Sequence, residues 1–250
     1  MISLSGISKT FSKGSPNEIH ILNEFNLEIK KNDFIIVVGS NGSGKSTFLN
    51  IIAGAVRQEK GLIYFDGTEI SSLHDFERSK WIARIFQNPL AGTAPELTIL
   101  ENFRLAALRT KKKGFSIGTG EKFRSIVRER IAVLNLGLEN KLDREIGSLS
   151  GGQRQALALL MSIMDDTKLL LLDEPTAALD PRTSTLIMNL ADKVIREYDL
   201  TALLVTHNMK DVIGYGNRVV QMKEGSIIRD FRKESNVPVN MADVYEWFND

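Results

Sequence analysis

The sequence predicts an α/β protein with a largely parallel sheet and an inserted all-helical lobe. Short apolar runs rich in β-branched residues recur along the chain, and most are bounded by turn-forming residues. Longer helical patterns alternate with these strand candidates, which is typical of a parallel sheet covered by helices. Between about Pro89 and Met164, however, almost no strand signal appears, and this interval predicts an insertion made of helices.

The elements can be placed one by one along the chain. The strand candidates are ISLSGIS, FNLEI, FIIVV, LIYF, LLLL, TALLVT and NRVVQM. The helical patterns are STFLNIIAG, LTILENFRLAALR, EKFRSIVRERIAVLNL, GGQRQALALLMSIM, the stretch 182–197 and MKDVIGYG. We predict a single domain with two lobes. It comprises a core at about 1–88 and 165–230, a helical lobe at about 89–164 that contains a basic, Gly-rich loop, and a helical tail at about 238–250.

Composition and charge limit the class of protein. The 250 residues are 42% hydrophobic and 25% charged, the profile of an ordinary soluble globular protein. Their formal net charge of +1 argues against a dedicated nucleic-acid-binding protein. The chain has no cysteine, which excludes disulfides and thiolate metal sites and fits a reducing cytosol. Neither a signal peptide nor an apolar run of ~20 residues is present, so any membrane role would depend on a partner.

A glycine-rich segment, GSNGSGKST, follows the strand candidate FIIVV and precedes a helical pattern. It matches G-x-x-x-x-G-K-[ST], in which glycines let the backbone curl its N–H groups around a phosphate. Lys45 would reach the β- and γ-phosphates, and the Ser46 hydroxyl would bind Mg²⁺. The alternative is a turn that matches by chance, which the strand and helix on either side disfavour. The predicted nucleotide site comprises Gly39, Ser40, Asn41, Gly42, Ser43, Gly44, Lys45, Ser46 and Thr47.

Two acids follow the leucine run LLLL, where a buried strand candidate ends. Ligands of open parallel sheets bind beyond the carboxyl ends of the strands. Asp173 is therefore placed to hold Mg²⁺ through water, and Glu174 to polarise an attacking water. A strand that simply ends in solvated acids is the alternative, and the phosphate loop is what favours a functional role. Asp180 and Pro181 then begin the next helix, with Asp180 as its expected cap.

The segment LSGGQRQALAL, from Leu149, places a serine and two glycines at the start of a helical pattern, a second arrangement suited to anions. It resembles the signature motif of ATP-binding cassette (ABC) proteins. Over about residues 1–230 the chain resembles the nucleotide-binding subunit of an ABC transporter. The resemblance implies the ABC ATPase fold, in which a P-loop NTPase core carries an antiparallel β portion and an inserted helical lobe.

The resemblance also implies roles for four further residues. Gln87, in IFQNP, matches the glutamine that contacts Mg²⁺ and links the core to the helical lobe. His207, in LLVTHN, matches the switch histidine that contacts the γ-phosphate, although a lone histidine after a strand is more often structural. Asp180 matches the residue that acts across a dimer interface. Phe11 matches the aromatic ring that stacks on adenine, with plain packing as the alternative.

The mechanism implied by the resemblance uses two copies of the chain. They face each other head to tail, so that Mg²⁺ and ATP lie between Lys45 of one copy and the signature segment of the other. Glu174 acts as the general base, with Lys45, Gln87 and His207 completing the catalytic set. The metal-binding residues are Ser46, Gln87 and Asp173, and the residues supplied in trans are Ser150, Gly151, Gly152, Gln153 and Asp180.

Finally, the resemblance implies a kind of transport system. A single cassette without a membrane span needs a separate integral membrane permease, and the protein would lie on the cytoplasmic face of the membrane. The segments GTAPELTILENFRLAALRTKKKGF and YGNRVVQMKEGSII resemble ATPases that accompany an extracytoplasmic, lipid-anchored binding protein. Some of those systems import tryptophan or related aromatic amino acids, although Pro175 stands where their members often have histidine. The alternatives are an export ATPase and a non-transport ABC ATPase of the translation or DNA-repair type.

Overall fold

Two sheets, seven α-helices and two short 3-10 helices (Leu138–Asn140 and Ile146–Ser148) are found in the part of the chain that the computed structural model describes, residues 1–108, 118–233 and 244–245. The strands are β1 (Ile2–Phe11), β2 (Ile19–Ile29), β3 (Phe34–Val38), β4 (Lys60–Phe65), β5 (Thr68–Glu69), β6 (Ile82–Ile85), β7 (Leu169–Asp173), β8 (Thr201–Val205), β9 (Arg218–Lys223) and β10 (Ser226–Arg232). The helices are α1 (Lys45–Ala53), α2 (Asp75–Arg78), α3 (Ile99–Ala106), α4 (Glu121–Ala132), α5 (Gly151–Ser162), α6 (Pro181–Glu197) and α7 (Met209–Gly214).

The larger sheet has six strands in the order β10-β9-β3-β8-β7-β6. All its neighbouring strands are parallel except β10, which pairs antiparallel with β9. Only β8 separates β3 from β7, so the carboxyl ends of these two strands lie at the same edge of the sheet. The glycine-rich loop that follows β3 therefore meets the acids that end β7.

Strand β3 shows how both faces of this sheet are buried. Its five residues are all buried, and alternate side chains belong to different core clusters, as the two-residue period of a strand requires. Ile35 and Val37 pack with α1 and the second sheet, whereas Ile36 and Val38 pack with the helical lobe and α6. A strand buried on both sides reads as a continuous apolar run, which is why FIIVV is so clear in the sequence.

The smaller sheet has four antiparallel strands in the order β2-β1-β4-β5. Together the two sheets confirm the predicted α/β fold with an antiparallel portion. Four elements of the structure, β5, β6, β10 and α2, were not predicted from the sequence. Strand β5 has two residues and α2 has four, too few for a periodic pattern, and the apolar run of β6 is interrupted by Arg84.

The middle of the chain contains α3, α4 and α5, whose apolar faces join the main core cluster. Helix α3 begins at a capping box, in which Thr98 Oγ1 accepts from the Glu101 N–H and Glu101 accepts from the Thr98 N–H. Buried Asn102 ties the preceding loop to the helix through hydrogen bonds with Ala94 and Leu97. The lobe boundaries given above remain a prediction.

Two predicted features lie largely outside the described residues. The basic loop at 109–113 is one of them, and most of the tail at 238–250 is the other. Within the tail, Val244 is buried in the main core cluster and Tyr245 is 60% exposed. None of the helices in the described ranges has the length and apolarity needed to cross a membrane.

Candidate nucleotide site

The glycine-rich loop joins β3 directly to α1. Gly44 is the N-cap residue of α1 and has no side chain with which to cap it. The N–H groups of the first helical turn are therefore available to an external anion, as at other helix N-termini that bind phosphate. Buried Lys45 folds back over the loop, and its Nζ donates to the carbonyl oxygens of Gly39 and Ser40 at 2.8 Å each.

Two details of this loop fit a phosphate group. Gly39 has φ +145°, and a Cβ at this position would lie 2.1 Å from the carbonyl oxygen of Met222, so only glycine fits between the loop and β9. The hydroxyl of Ser43 is buried, and Ser43 Oγ has no hydrogen-bond partner within the described residues. A buried hydroxyl that lacks a partner inside a loop of N–H donors suits an incoming oxyanion.

The surroundings of Lys45 shift the pKa of its ammonium group. Burial lowers the pKa of the Lys45 ammonium from its ordinary value, and the negative charges of Glu174 and Asp173 oppose that shift. The lysine thus lies in a partly desolvated position with two acids close by. A polyphosphate that entered the loop would bring further negative charge to an ammonium already held in place.

Ser46 and Asp173 meet at the edge of the sheet. Ser46 Oγ donates to Asp173 Oδ1 at 3.1 Å, although the two residues are 127 positions apart. The other oxygen of the carboxylate, Oδ2, accepts from Arg84 at 2.7 Å. Within the described ranges no three His, Cys, Asp or Glu side chains form a metal-binding group. A hydroxyl and one carboxylate nevertheless suit Mg²⁺, which keeps several waters and takes further oxygens from substrate phosphates.

Glu174 and His207 face each other across the site. Glu174 has φ +46°, a left-handed conformation that is uncommon outside glycine, asparagine and aspartate and that occurs often at functional sites. The Glu174 N–H donates to the carbonyl oxygen of Val205, which aligns the ends of β7 and β8. His207 Nε2 lies 2.9 Å from Glu174 Oε1. These two side chains line a cavity of about 170 Å³ together with Ile21, Asn41, Gly42, Gly44, Lys45, Ser46 and Thr47.

The signature segment forms the start of α5. Ser150 is the N-cap residue, its Oγ accepts from the Gln153 N–H, and Gln153 Oε1 accepts from the Ser150 N–H. Gly152 packs tightly, since a Cβ there would lie 2.2 Å from a methyl carbon of Thr183. Gly151 follows Ser150 directly and is the first residue of the helix. None of the described signature residues lines the cavity that holds Lys45 and Glu174.

Three other predicted residues occupy different surroundings. Asp180 caps α6 by accepting from the N–H groups of Arg182 and Thr183, and the hydrogen bonds from Thr183 hold the pKa of its carboxyl below the usual value. Gln87 is exposed just after β6. Phe11 is 40% exposed at the end of β1, with Lys9 Nζ 5.2 Å from its ring centroid. Neither Gln87 nor Phe11 is among the described residues that line the cavity.

Two residues near the site were not predicted from the sequence. Arg84 binds the Asp173 carboxylate, and its other terminal nitrogen donates to Asn50 Oδ1 on α1. Gln155 is 1% exposed and donates from Nε2 to the carbonyl oxygens of Phe86 and Pro175. One residue of α5 therefore holds the chain just before Gln87 and just after Glu174. In the sequence, Arg84 is a single charged residue within the apolar stretch IARIF, and Gln155 is a polar residue directly before the apolar stretch ALALLM.

Comparison with known proteins identifies the family. The family model described as "ABC transporter" matches residues 22–177, which include the glycine-rich loop, the signature segment and the acidic strand end. The chain belongs to the ABC transporter family. It is 37% identical over 250 residues to the tyrosine transport ATP-binding protein of Clostridioides difficile, an alignment that covers 99% of this chain and 98% of that one.

Solved structures agree with this assignment. The ATP-binding cassette of a post-hydrolysis dimer bound to ADP and Pi matches with a TM-score of 0.80 and 32% identity, covering 94% of this chain and 100% of that one. Among relatives compared by sequence, a macrolide export ATP-binding/permease protein of Campylobacter fetus is 32% identical to this chain. The alignment covers 95% of this chain but only 36% of that protein. The chain is thus an ABC ATP-binding cassette, an ATPase coupled to transport, and the direction of transport is left open by these relatives.

Proposed function

We propose that this ABC ATPase works as a head-to-tail dimer in which each ATP lies between the glycine-rich loop of one copy and the signature segment of the other. The observation that carries the proposed reaction is the Glu174–His207 pair at 2.9 Å, which lines the same cavity as Lys45 and Ser46, whereas none of the described signature residues lines it. The dimeric cassette bound to ADP and Pi, at 32% identity, supports a dimer as the working form. In it, Ser150, Gly151, Gly152, Gln153 and Asp180 of one copy would act on the nucleotide of the other.

Each side chain has a chemical task in the proposed reaction. Lys45 and the N–H groups that begin α1 neutralise the phosphates, and Glu174 accepts a proton from the attacking water. The His207 ring donates an N–H to Glu174 and so orients its carboxylate. Ser46, Asp173 and Gln87 would hold Mg²⁺, which supplies charge neutralisation at the phosphates when bound. Phe11, with its exposed ring, would stack on the adenine base.

The general-base role of Glu174 can be tested directly. Substitution Glu174→Gln keeps the size of the side chain but removes its ability to accept a proton. We expect the variant to lose at least about 10²-fold in ATP turnover, the range for losing a positioned general base, and to form a stable ATP-bound dimer in size-exclusion chromatography. The matched control is Glu69→Gln on β5, an exposed residue of the four-stranded sheet. A Glu174→Gln protein that hydrolyses ATP normally or stays monomeric with ATP would contradict the proposal.

We further propose that the transporter imports an amino acid with an aromatic side chain through a separate membrane permease, with an extracytoplasmic binding protein delivering the solute. The full-length similarity to a tyrosine transport ATP-binding protein supports this substrate class. The test is to purify the chain with the membrane protein that accompanies it and to measure ATPase stimulation by a binding protein loaded with tyrosine or tryptophan. Stimulation by a macrolide in the absence of a binding protein would instead favour export, and co-purification with ribosomes would favour a non-transport ATPase.

A further inference from the structure

The arginine that binds the Asp173 carboxylate is a positive charge built into the proposed magnesium site. The Arg84 and Asp173 side chains are only 13% and 14% exposed, and Arg84 Nη2 lies 2.7 Å from Asp173 Oδ2. The opposite oxygen, Oδ1, accepts from Ser46. One carboxylate is therefore shared between a permanent cation on one side and the metal-binding hydroxyl on the other.

A structural arginine in the same protein looks different. Arg218 donates from all three of its nitrogens, to Asp230, Asp33 and the carbonyl oxygen of Glu28. Arg84 uses only its two terminal nitrogens, since its buried Nε has no hydrogen-bond partner within the described residues. Its guanidinium carbon lies 4.6 Å from the ring centroid of Phe86. Arg84 thus leaves its Nε donor unused and pairs with a single acid, Asp173.

Arg84 also borders a groove. Together with Phe86, it lines a groove of about 400 Å³ between β6, α3 and α5. Arg84 thus belongs both to the ion pair with Asp173 and to the lining of this groove.

From this geometry we propose that Arg84 is an internal cation that competes with magnesium for the charge of Asp173 and so weakens magnesium binding by the nucleotide complex. The inference rests on the proposed function, which assigns Ser46 and Asp173 to the metal. Two cations that draw on one carboxylate in a partly buried site repel each other, and such neighbours shift ion-binding equilibria by about tenfold or more. Without Arg84, the carboxylate would be left for the metal alone.

The experiment measures Mg²⁺ affinity of the ADP complex by titration calorimetry on the full chain. Arg84→Met removes the charge, Arg84→Gln removes it while keeping a polar side chain, and Arg84→Lys keeps it. We expect Mg²⁺ to bind roughly tenfold more tightly in the first two variants and within about twofold of wild type in Arg84→Lys. Arg196→Met, which removes an exposed arginine that pairs with Asp192 on α6, is the charge-matched control and should leave the affinity unchanged.

Thermal melting provides a second measurement that is independent of catalysis. Arg84→Met should melt at a lower temperature than wild type without metal, because Asp173 is left unpaired, and should gain more from added Mg²⁺ and ADP. Unchanged or weaker Mg²⁺ binding in both charge-removing variants would overturn the proposal, as would tighter binding in Arg84→Lys. Ser46→Ala separates this failure from failure of the proposed function. It should weaken Mg²⁺ binding, and normal binding in Ser46→Ala would mean that the metal site itself is wrongly assigned.

Discussion

Substitution of Gln155 tests how the helical lobe is joined to the edge of the sheet that carries Glu174. Gln155 lies in α5, five residues after the Ser150 cap, and its Nε2 donates to the carbonyl oxygens of Phe86 at 3.1 Å and Pro175 at 2.8 Å. Substitution Gln155→Met keeps the length and shape of the side chain but removes both donors. The buried carbonyl group of Pro175 and the partly buried one of Phe86 would then lack this partner.

The size of the effect follows from those two bonds. Leaving a buried acceptor unsatisfied costs about 1–3 kcal/mol, so we expect Gln155→Met to lower the free energy of unfolding by about 3 kcal/mol. For a chain of this length that corresponds to a melting temperature lower by roughly 6–12 °C. Turnover should fall as well, because Phe86 precedes Gln87 and Pro175 follows Glu174. Urea denaturation measures the first effect, and steady-state ATPase assays below the melting temperature measure the second.

The matched control is another glutamine of the same helix. Gln153 is half-buried and accepts one hydrogen bond, from the Ser150 N–H at 3.1 Å. Gln153→Met should therefore cost only about 1 kcal/mol, as for the loss of a helix cap. If Gln155→Met were no more destabilising than Gln153→Met, the carbonyl groups of Phe86 and Pro175 would not depend on Gln155 for their stability, which would refute this explanation.

Two further substitutions test stability elsewhere. Burial raises the pKa of the Asp211 carboxyl above 3.8, although the hydrogen bond that Thr206 donates to it acts in the opposite direction. Ionising Asp211 therefore opposes folding, and the free energy of unfolding falls as the pH rises through the raised pKa. Asp211→Asn should therefore be more stable than wild type at pH 7 in urea denaturation, with an advantage that disappears below about pH 4; a constant difference would count against this. Thr98→Ala removes the cap of α3 and should cost about 1 kcal/mol by the same assay, whereas Thr98→Ser should not; equal losses would exclude capping as the cause.

The sequence alone predicted the parts of the fold that depend on local pattern. Strand β3 is buried on both faces, so its apolar run is continuous, and the loop after it carries glycines because the backbone at Gly39 has no room for a Cβ. Asp180 was expected to cap α6 and does so, because an acid followed by proline is a local signal of a helix start. These features involve residues close together along the chain.

Features that depend on distant residues could not be predicted. Arg84 and Asp173 are 89 positions apart, and Gln155 and Phe86 are 69 apart, so no periodic pattern connects them. Arg84 is also the reason that β6 was not predicted, because a charged residue in a four-residue strand removes most of the apolar pattern. The polar contacts that surround the predicted site residues thus required the fold, whereas the glycine loop and the two acids did not.

The two helix N-termini that are proposed to bind the same ATP have different N-caps, and this difference affects how each can donate to the phosphates. Gly44 leaves the first turn of α1 uncapped, so its N–H donors are open to a phosphate in the same chain. Ser150 caps α5 with the lone pair of its hydroxyl, and the hydroxyl proton is a separate donor. Ser150 can therefore keep its helix capped and still donate to a phosphate held by another copy. A signature helix capped in this way needs no rearrangement of its first turn when the two copies meet.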